Sequence, residues 1–373
     1  MCVHRAARTH NPHSLPMDRN IRAGKRMSSD MHVAACFVGL IRTLPQLAEH
    51  LQQQVVRALG DKTDTFLSIE MNSCAAADER NKMRSVINVL KPKHATVFCN
   101  AIATLQTDWN DLPQSSFTVL PSNDIWRHLD SGAAAGRRCG VKLGSVRSFY
   151  GNQRKANYCY QSVVREEKTR GITYNLIANV RADLFLSKPL PAAAEIPRGH
   201  VTVPFCNPAH QSAIKPSCGS VERGDFLGRG RSECDVATDW MALIPRHFAQ
   251  GYYTAFTTLT GNTSCADFAR MHRDGCYCHS PMWVGAFQEC MLSTHLHEHH
   301  VKYARGHFFG LIAASRGVKA STSGNPAEVT VTTNVAIATN GVNAADCIAT
   351  HAAWCPQNCV HTGTGFVCTV IKD

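Results

Sequence analysis

Five charged residues stand at the ends of apolar segments or within them, and their types set the chemistry open to this chain. Arg181-Ala182-Asp183 closes the apolar stretch from Tyr174 to Val180. A carboxylate at a strand end can take a divalent cation or a ribose hydroxyl. Arg181 lies two residues earlier, so on an extended chain both side chains point to one side. Its guanidinium could fork onto phosphate oxygens or lock the carboxylate as a structural pair. Arg42 ends Gly39-Leu40-Ile41-Arg42, directly after the first apolar run. The first strand-to-helix turn of an open α/β sheet often meets phosphate, and an arginine there suits a diphosphate. Asp239 opens the segment running to Pro245 and Arg246, where it could bind hydroxyls, act as a base or cap the segment. Glu289 lies in the mostly apolar stretch from Trp283 to Cys290. Desolvated on such a helix, it gains the raised pKa suited to taking a hydroxyl proton; the alternative is an exposed polar face.

A second constellation invites a metal. Cys276, Cys278 and His279 precede the histidine-rich run His295 to His300. These residue types suit zinc, but no Cys-x2-Cys pair is matched to a second pair. His295 and His299 share a helix face without the order of a metalloprotease motif. A nucleophile elbow, a P-loop and a Gly-x-Gly-x-x-Gly turn are all absent from the sequence, so hydrolase, NTPase and NAD-linked readings lose their anchors.

The elements that must position these groups begin at His32. The apolar run 32–38 reads as a buried parallel strand. Leu44, Leu47, Leu51, Val55 and Leu59 follow at helical spacing and end at Gly60. Strand 65–69, a helix stopping at Pro92 and strand 95–99 complete the opening half of a doubly wound sheet. Residues 100–144 read as loop with short helical pieces. A long helix is expected over 146–170, with Phe149, Ala156, Cys159, Tyr160 and Val163 inward and Gly171 as its cap. Strands are expected over 174–180, 200–204 and 239–245, a helix over 246–258, another over 283–297, and a last strand over 308–312. Residues 206–237 read as a loop.

Composition bounds the rest. The chain has 373 residues, 44% hydrophobic and 18% charged, which suits a sizeable folded core. Net charge is +11, but six of the cations lie before Asp30, in a stretch without periodicity that reads as a basic tail over 1–31. The remainder is not arranged in the basic blocks of a nucleic-acid binder. Among the 17 cysteines, Cys36, Cys99, Cys159 and Cys206 sit in apolar runs and read as small buried hydrophobes. The denser group from Cys265 to Cys368 fits disulfides of an oxidising compartment. No apolar run is long enough to span a bilayer, and no signal peptide opens the sequence. The expectation is therefore a cytoplasmic protein, or one of the secretory lumen if the N-terminus is incomplete. An α/β domain over 32–319 and a Cys-containing, β-rich or disulfide-pinned extension over 320–373 complete the organisation.

Taken together the segments resemble a glycosyltransferase-like family with a GT-A-type fold. The resemblance lies in Gly39 and Arg42 after the first strand, and in Glu166, Glu167 and Gly171 before a strand closing on Arg181 and Asp183. It continues in Leu184, Phe185 and Pro189, in Asp239, Ala242, Leu243, Pro245 and Arg246, and in Glu289, Cys290, Leu292, His295 and Leu296. It implies a GT-A-like, Rossmann-type mixed and mostly parallel sheet flanked by helices, with a small Cys-rich C-terminal extension. It also implies sugar transfer from a nucleotide-diphospho-sugar to an acceptor hydroxyl of a glycan, protein or small molecule. In that reading Gly39, Arg42, Arg181 and Asp183 bind the donor, Asp183 holds Mn2+ or Mg2+, Asp239 orients the acceptor and Glu289 is the base. Arg181 replaces the first acid of the usual Asp-x-Asp, which weakens the expectation of a metal. Two alternatives stand: an inactive binding protein of the same fold, and a Cys/His-rich metal-binding interaction protein.

Overall fold

The computed structural model describes residues 31–99, 117–126, 143–186, 188–204, 240–258, 292–293, 295–296, 298–306, 310–312, 328–333, 359–361 and 366–371, with the backbone alone over 143–148 and from 305 onward. Its first half follows the hydrophobic pattern closely. Strand β1 (Val33–Leu40) is buried on both faces through Val38, as a central parallel strand must be. Helix α1 (Leu44–Leu51) carries Pro45 in its first turn and runs into a π-helical stretch, Gln52–Arg57. Strand β2 (Thr63–Met71), helix α2 (Ala77–Leu90) and strand β3 (His94–Cys99) follow.

Strand β4 (Phe117–Pro121) and a single turn α3 (Asn123–Trp126) lie inside the stretch expected to be loop. Every residue of β4 is only half-buried. Its sequence, Phe-Thr-Val-Leu-Pro, is apolar but short and closes on a proline, which makes a weak strand signal. Helix α4 (Leu143–Arg170) spans 28 residues and ends at Gly171, whose φ of +65° is the left-handed cap the sequence implied. Of its expected inward residues, Phe149, Ala156, Cys159 and Val163 are buried and Tyr160 is half-buried.

Strand β5 (Leu176–Arg181) leads to the short β6 (Leu184–Leu186), then β7 (Val201–Pro204) and β8 (Met241–Pro245). The single helix expected over 246–258 is instead three short pieces: a 3-10 turn, helix α5 (Ala249–Tyr253) and a second 3-10 turn, Ala255–Thr258. Strand β9 (Tyr303–Gly306) escaped the sequence reading. The stretch expected to be a last strand contributes β10 (Gly310–Ile312), which pairs with β6 outside the main sheet. Strands β11 (Glu328–Thr333), β12 (Cys359–His361) and β13 (Phe366–Ile371) form an antiparallel sheet in the order β11-β13-β12.

The fold is α/β, with an eight-stranded mixed sheet in the order β4-β3-β2-β1-β5-β8-β7-β9. Strands β1 to β5 are parallel, β8 is antiparallel to both β5 and β7, and β9 is parallel to β7. From β1 the chain builds outward through β2, β3 and β4; it then returns to place β5 on the other side of β1. The order therefore reverses between β1 and β5, where an open α/β sheet forms a crevice at the carboxyl ends of its strands.

Two apolar clusters sandwich the sheet. Leu44, Leu47, Leu51 and Val55 of α1 and its extension join Met83, Val86 and Leu90 of α2 against Phe37, Leu67 and Val97. On the opposite face Phe149, Cys159 and Val163 of α4 pack with Cys36, Phe66, Ile177 and Tyr252. Each large side chain fully buried in this way contributes about 1.5–3 kcal/mol.

Two disulfides correct the expectation of separate buried thiols. Cys36 pairs with Cys159, tying β1 to α4, and Cys74 pairs with Cys99 at the end of β3. All four are fully buried, as hydrophobes would be. Burial of Cys36, Cys99 and Cys159 was expected from their apolar runs; Cys74 was not singled out, and the partners were hidden, the first pair being 123 residues apart. No described helix is long and apolar enough to cross a membrane.

Candidate functional site

The crevice is built where β1 and β5 end side by side. Val38 is in register with Arg181, and Ala182 donates its N–H to the Val38 carbonyl at 2.8 Å. Gly39 has φ +151°, a conformation that L side chains rarely adopt, and a Cβ there would stand 3.2 Å from the Ala182 Cβ. Glycine and alanine are thus matched: each leaves room for the other at the floor of the crevice.

Arg181 is held by its backbone N–H on the Trp240 carbonyl at 2.8 Å. Its side chain closes on Asp183 in a two-point ion pair, Nε to Oδ1 at 2.9 Å and Nη2 to Oδ2 at 2.8 Å. Both side chains remain about a quarter exposed, at 25% and 29%. Of the two readings of this pair, the observed geometry is that of the lock. The carboxylate is locked, and the lock sits in solvent-accessible ground at the switch point.

Arg42 is exposed on the turn between β1 and α1, with no ion pair among the described residues. The next residue, Thr43, precedes the first residue of α1 but makes no side-chain capping bond, and its buried hydroxyl has no partner. The first N–H groups of α1 are already engaged, Leu44 on the Ile41 carbonyl and Gln46 and Leu47 on that of Thr43, and Pro45 has none, so the turn offers the Arg42 guanidinium and the Thr43 hydroxyl rather than free backbone donors.

Two charged residues that the sequence reading passed over complete the crevice. Lys155 of α4 donates to Glu70 Oε2 of β2 at 2.9 Å. Its side chain is only 4% exposed. Burial pushes the Lys155 ammonium below the usual lysine range, while Glu70 opposes that shift; the charges of Arg181 and Asp183 also reach it. The signal was present: Lys155 is four residues before Cys159, on the inward stripe of α4, where a lysine needs a partner. Glu70 is the acid near the carboxyl end of β2, after Phe66, Leu67 and Ile69.

The described residues do not by themselves make a resident divalent-ion site. Asp183 has both oxygens engaged by Arg181, Glu70 is engaged by Lys155, and among the described residues no three Asp, Glu, His or Cys converge. Asp239 and Glu289 lie outside the described residues, as do Cys276, Cys278 and His279. Of the histidine run, His295 and His299 do share a face, with ring centroids 4.1 Å apart. The His295 Nε2–H donates to the Gly251 carbonyl at 2.7 Å, so that nitrogen carries a proton rather than a lone pair for a metal. Burial pushes its pKa down to about 4.

Other residues of the resemblance gather at the opposite edge, where the parallel strands begin. Arg246 forks onto Glu167 at 2.8 and 2.7 Å and bonds the Tyr160 hydroxyl at 3.1 Å. Glu167 also accepts the Tyr174 N–H at 3.0 Å. The Tyr174 hydroxyl donates to Asp64, which Arg170 also grips at 2.6 Å. These residues fasten α4, β5 and β8 together and face no crevice at the carboxyl ends.

No protein-family model and no curated protein sequence matches the chain. Among solved structures it is similar to a crystal structure of mouse xyloside xylosyltransferase 1 in its apo form. The identity is 10% and the TM-score 0.35, over 74% of this chain and 84% of that one. That similarity assigns no role to any residue of the crevice.

Proposed function

We propose that the crevice between β1 and β5 receives the diphosphate of a nucleotide sugar, and that the protein transfers the sugar to an acceptor hydroxyl. The observation that carries the reading is the coincidence of a topological switch point with Gly39, Arg42, Arg181 and Asp183 at its mouth. Arg42 and Arg181 supply charge-assisted donors for the phosphate oxygens. Asp183, released as Arg181 turns to phosphate, accepts from ribose hydroxyls. Asp239 is proposed to orient the acceptor and Glu289 to take its proton. No step is assigned to Mn2+ or Mg2+.

Nucleotide sugars screened by thermal shift, with and without Mn2+, test the reading directly. A ligand at about a hundred times its Kd stabilises by roughly 2.7 kcal/mol, a rise of several degrees. Donor hydrolysis lost in Asp183→Ala with the fold intact would support an enzyme. Binding without turnover would favour an inactive member of the same fold, and absence of both would end the proposal.

A further inference from the structure

Lys155 and Glu70 have no place in the donor contacts just proposed, yet they lie beside them. Stability does not explain the pair. Burying two charges loses their hydration, and well-packed apolar residues often serve as well or better. Only one of the three ammonium donors meets Glu70 among the described residues. The surroundings are polar and unfinished: on the same face of the sheet, Ser68 Oγ and Asn179 Oδ1 are buried without partners. Ser68 and Arg181 both stand opposite Val38, one on each side.

The electrostatics give the pair a task. A diphosphate that takes the guanidinium of Arg181 leaves the Asp183 carboxylate uncompensated beside new negative charge. Like charges at this range, partly withdrawn from water, oppose binding. Lys155 attracts Asp183 and repels Arg181, so it favours the exchange on both counts. Glu70 keeps the ammonium in place beneath them. The disulfide from Cys159, one helical turn away, fixes the height of Lys155 against β1.

We infer that Lys155, held by Glu70, is a positioning residue that balances Asp183 when Arg181 moves from that carboxylate to a bound diphosphate. This rests on the reading of the crevice as a diphosphate site. The experiment is a double-mutant cycle on binding, titrating UDP, GDP and inorganic pyrophosphate by calorimetry. The paired variant Lys155→Met with Glu70→Gln removes both buried charges at similar volume. It should bind at least tenfold more weakly than the native protein. In an Asp183→Asn background the same pair of changes should cost less than threefold, because no carboxylate is left to balance. Lys155→Arg keeps the charge and should bind within threefold of native; a loss above tenfold there counts against the inference. Equal binding by the native and paired variants overturns the inference alone, and so does an equal loss in both backgrounds. If the native protein binds none of the three probes, the diphosphate reading falls and takes this inference with it.

Discussion

The two edges of the sheet use the same residue types for opposite ends. At the edge where the strands begin, Arg246, Glu167, Tyr160 and Tyr174 satisfy one another across three elements, and Arg170 and Asp64 repeat the pattern. At the edge where they finish, Arg181 and Asp183 pair with each other through two bonds, about a quarter exposed, near a buried Lys155–Glu70 pair. Charges that stitch distant elements together are scaffold. The Arg181–Asp183 bond joins residues two apart and so ties no distant elements by itself, and it lies where an α/β sheet takes ligands. A strong arginine–carboxylate pair is therefore poor evidence of function until its edge is known.

The largest expected effect comes from the bond that links α4 to β1. Replacing Cys36 and Cys159 by alanine removes a cross-link closing a loop of about 120 residues, worth roughly 3–5 kcal/mol. Chemical denaturation should show a loss of that order. A change under 1 kcal/mol would mean that packing alone holds α4 on the sheet.

Acid comes next. Burial pushes His50 and His94 down to about 4 from the usual 6.5, as it does His295. The unfolded chain therefore binds more protons between pH 6.5 and 4, so stability should fall as pH drops through that window, by up to about 3 kcal/mol per histidine. His50 Nε2 accepts the Leu186 N–H at 3.1 Å, so His50→Gln keeps an acceptor while removing the titration. Its stability should vary less steeply with pH; an unchanged slope would show that His50 titrates alike folded and unfolded.

At the scaffold edge, Arg246→Ala leaves Glu167 half-satisfied and should lower stability by about 2 kcal/mol, with nucleotide binding unaltered. Weakened binding in that variant, at temperatures where it is folded, would erase the distinction between the edges.

Much of the first half was legible because buried parallel strands and amphipathic helices carry strong periodic signals. β1, α1, β2, α2, β3 and α4 follow the pattern of Val33, Leu44, Phe66, Met83 and Phe149. β4 was not legible: Phe117 to Pro121 is a half-buried edge, and its alternation is faint. The break in the helix after Arg246 comes from tertiary packing, with Tyr252 and Tyr253 drawn into the core. At the crevice, the positions of Gly39, Arg42, Arg181 and Asp183 at or just past the ends of β1 and β5 were legible, though their role as a donor site stays a proposal. Glu70 and Lys155 were passed over: a lysine on the inward stripe of α4 signals a buried partner, but a pairing 85 residues apart does not say which acid it meets. The disulfide partners were hidden for the same reason.

The proposed anion site includes Arg181 and Arg42 and leaves out Arg246. Its most direct test is calorimetric titration of UDP and GDP into the native protein, Arg181→Ala and Arg246→Ala under identical salt. Losing a two-point charge-assisted contact should weaken binding of whichever nucleotide the native protein takes by roughly ten- to a hundredfold in Arg181→Ala. Arg246→Ala should match the native protein within threefold. Equal affinity in native and Arg181→Ala proteins, or no binding by the native protein, would contradict the account.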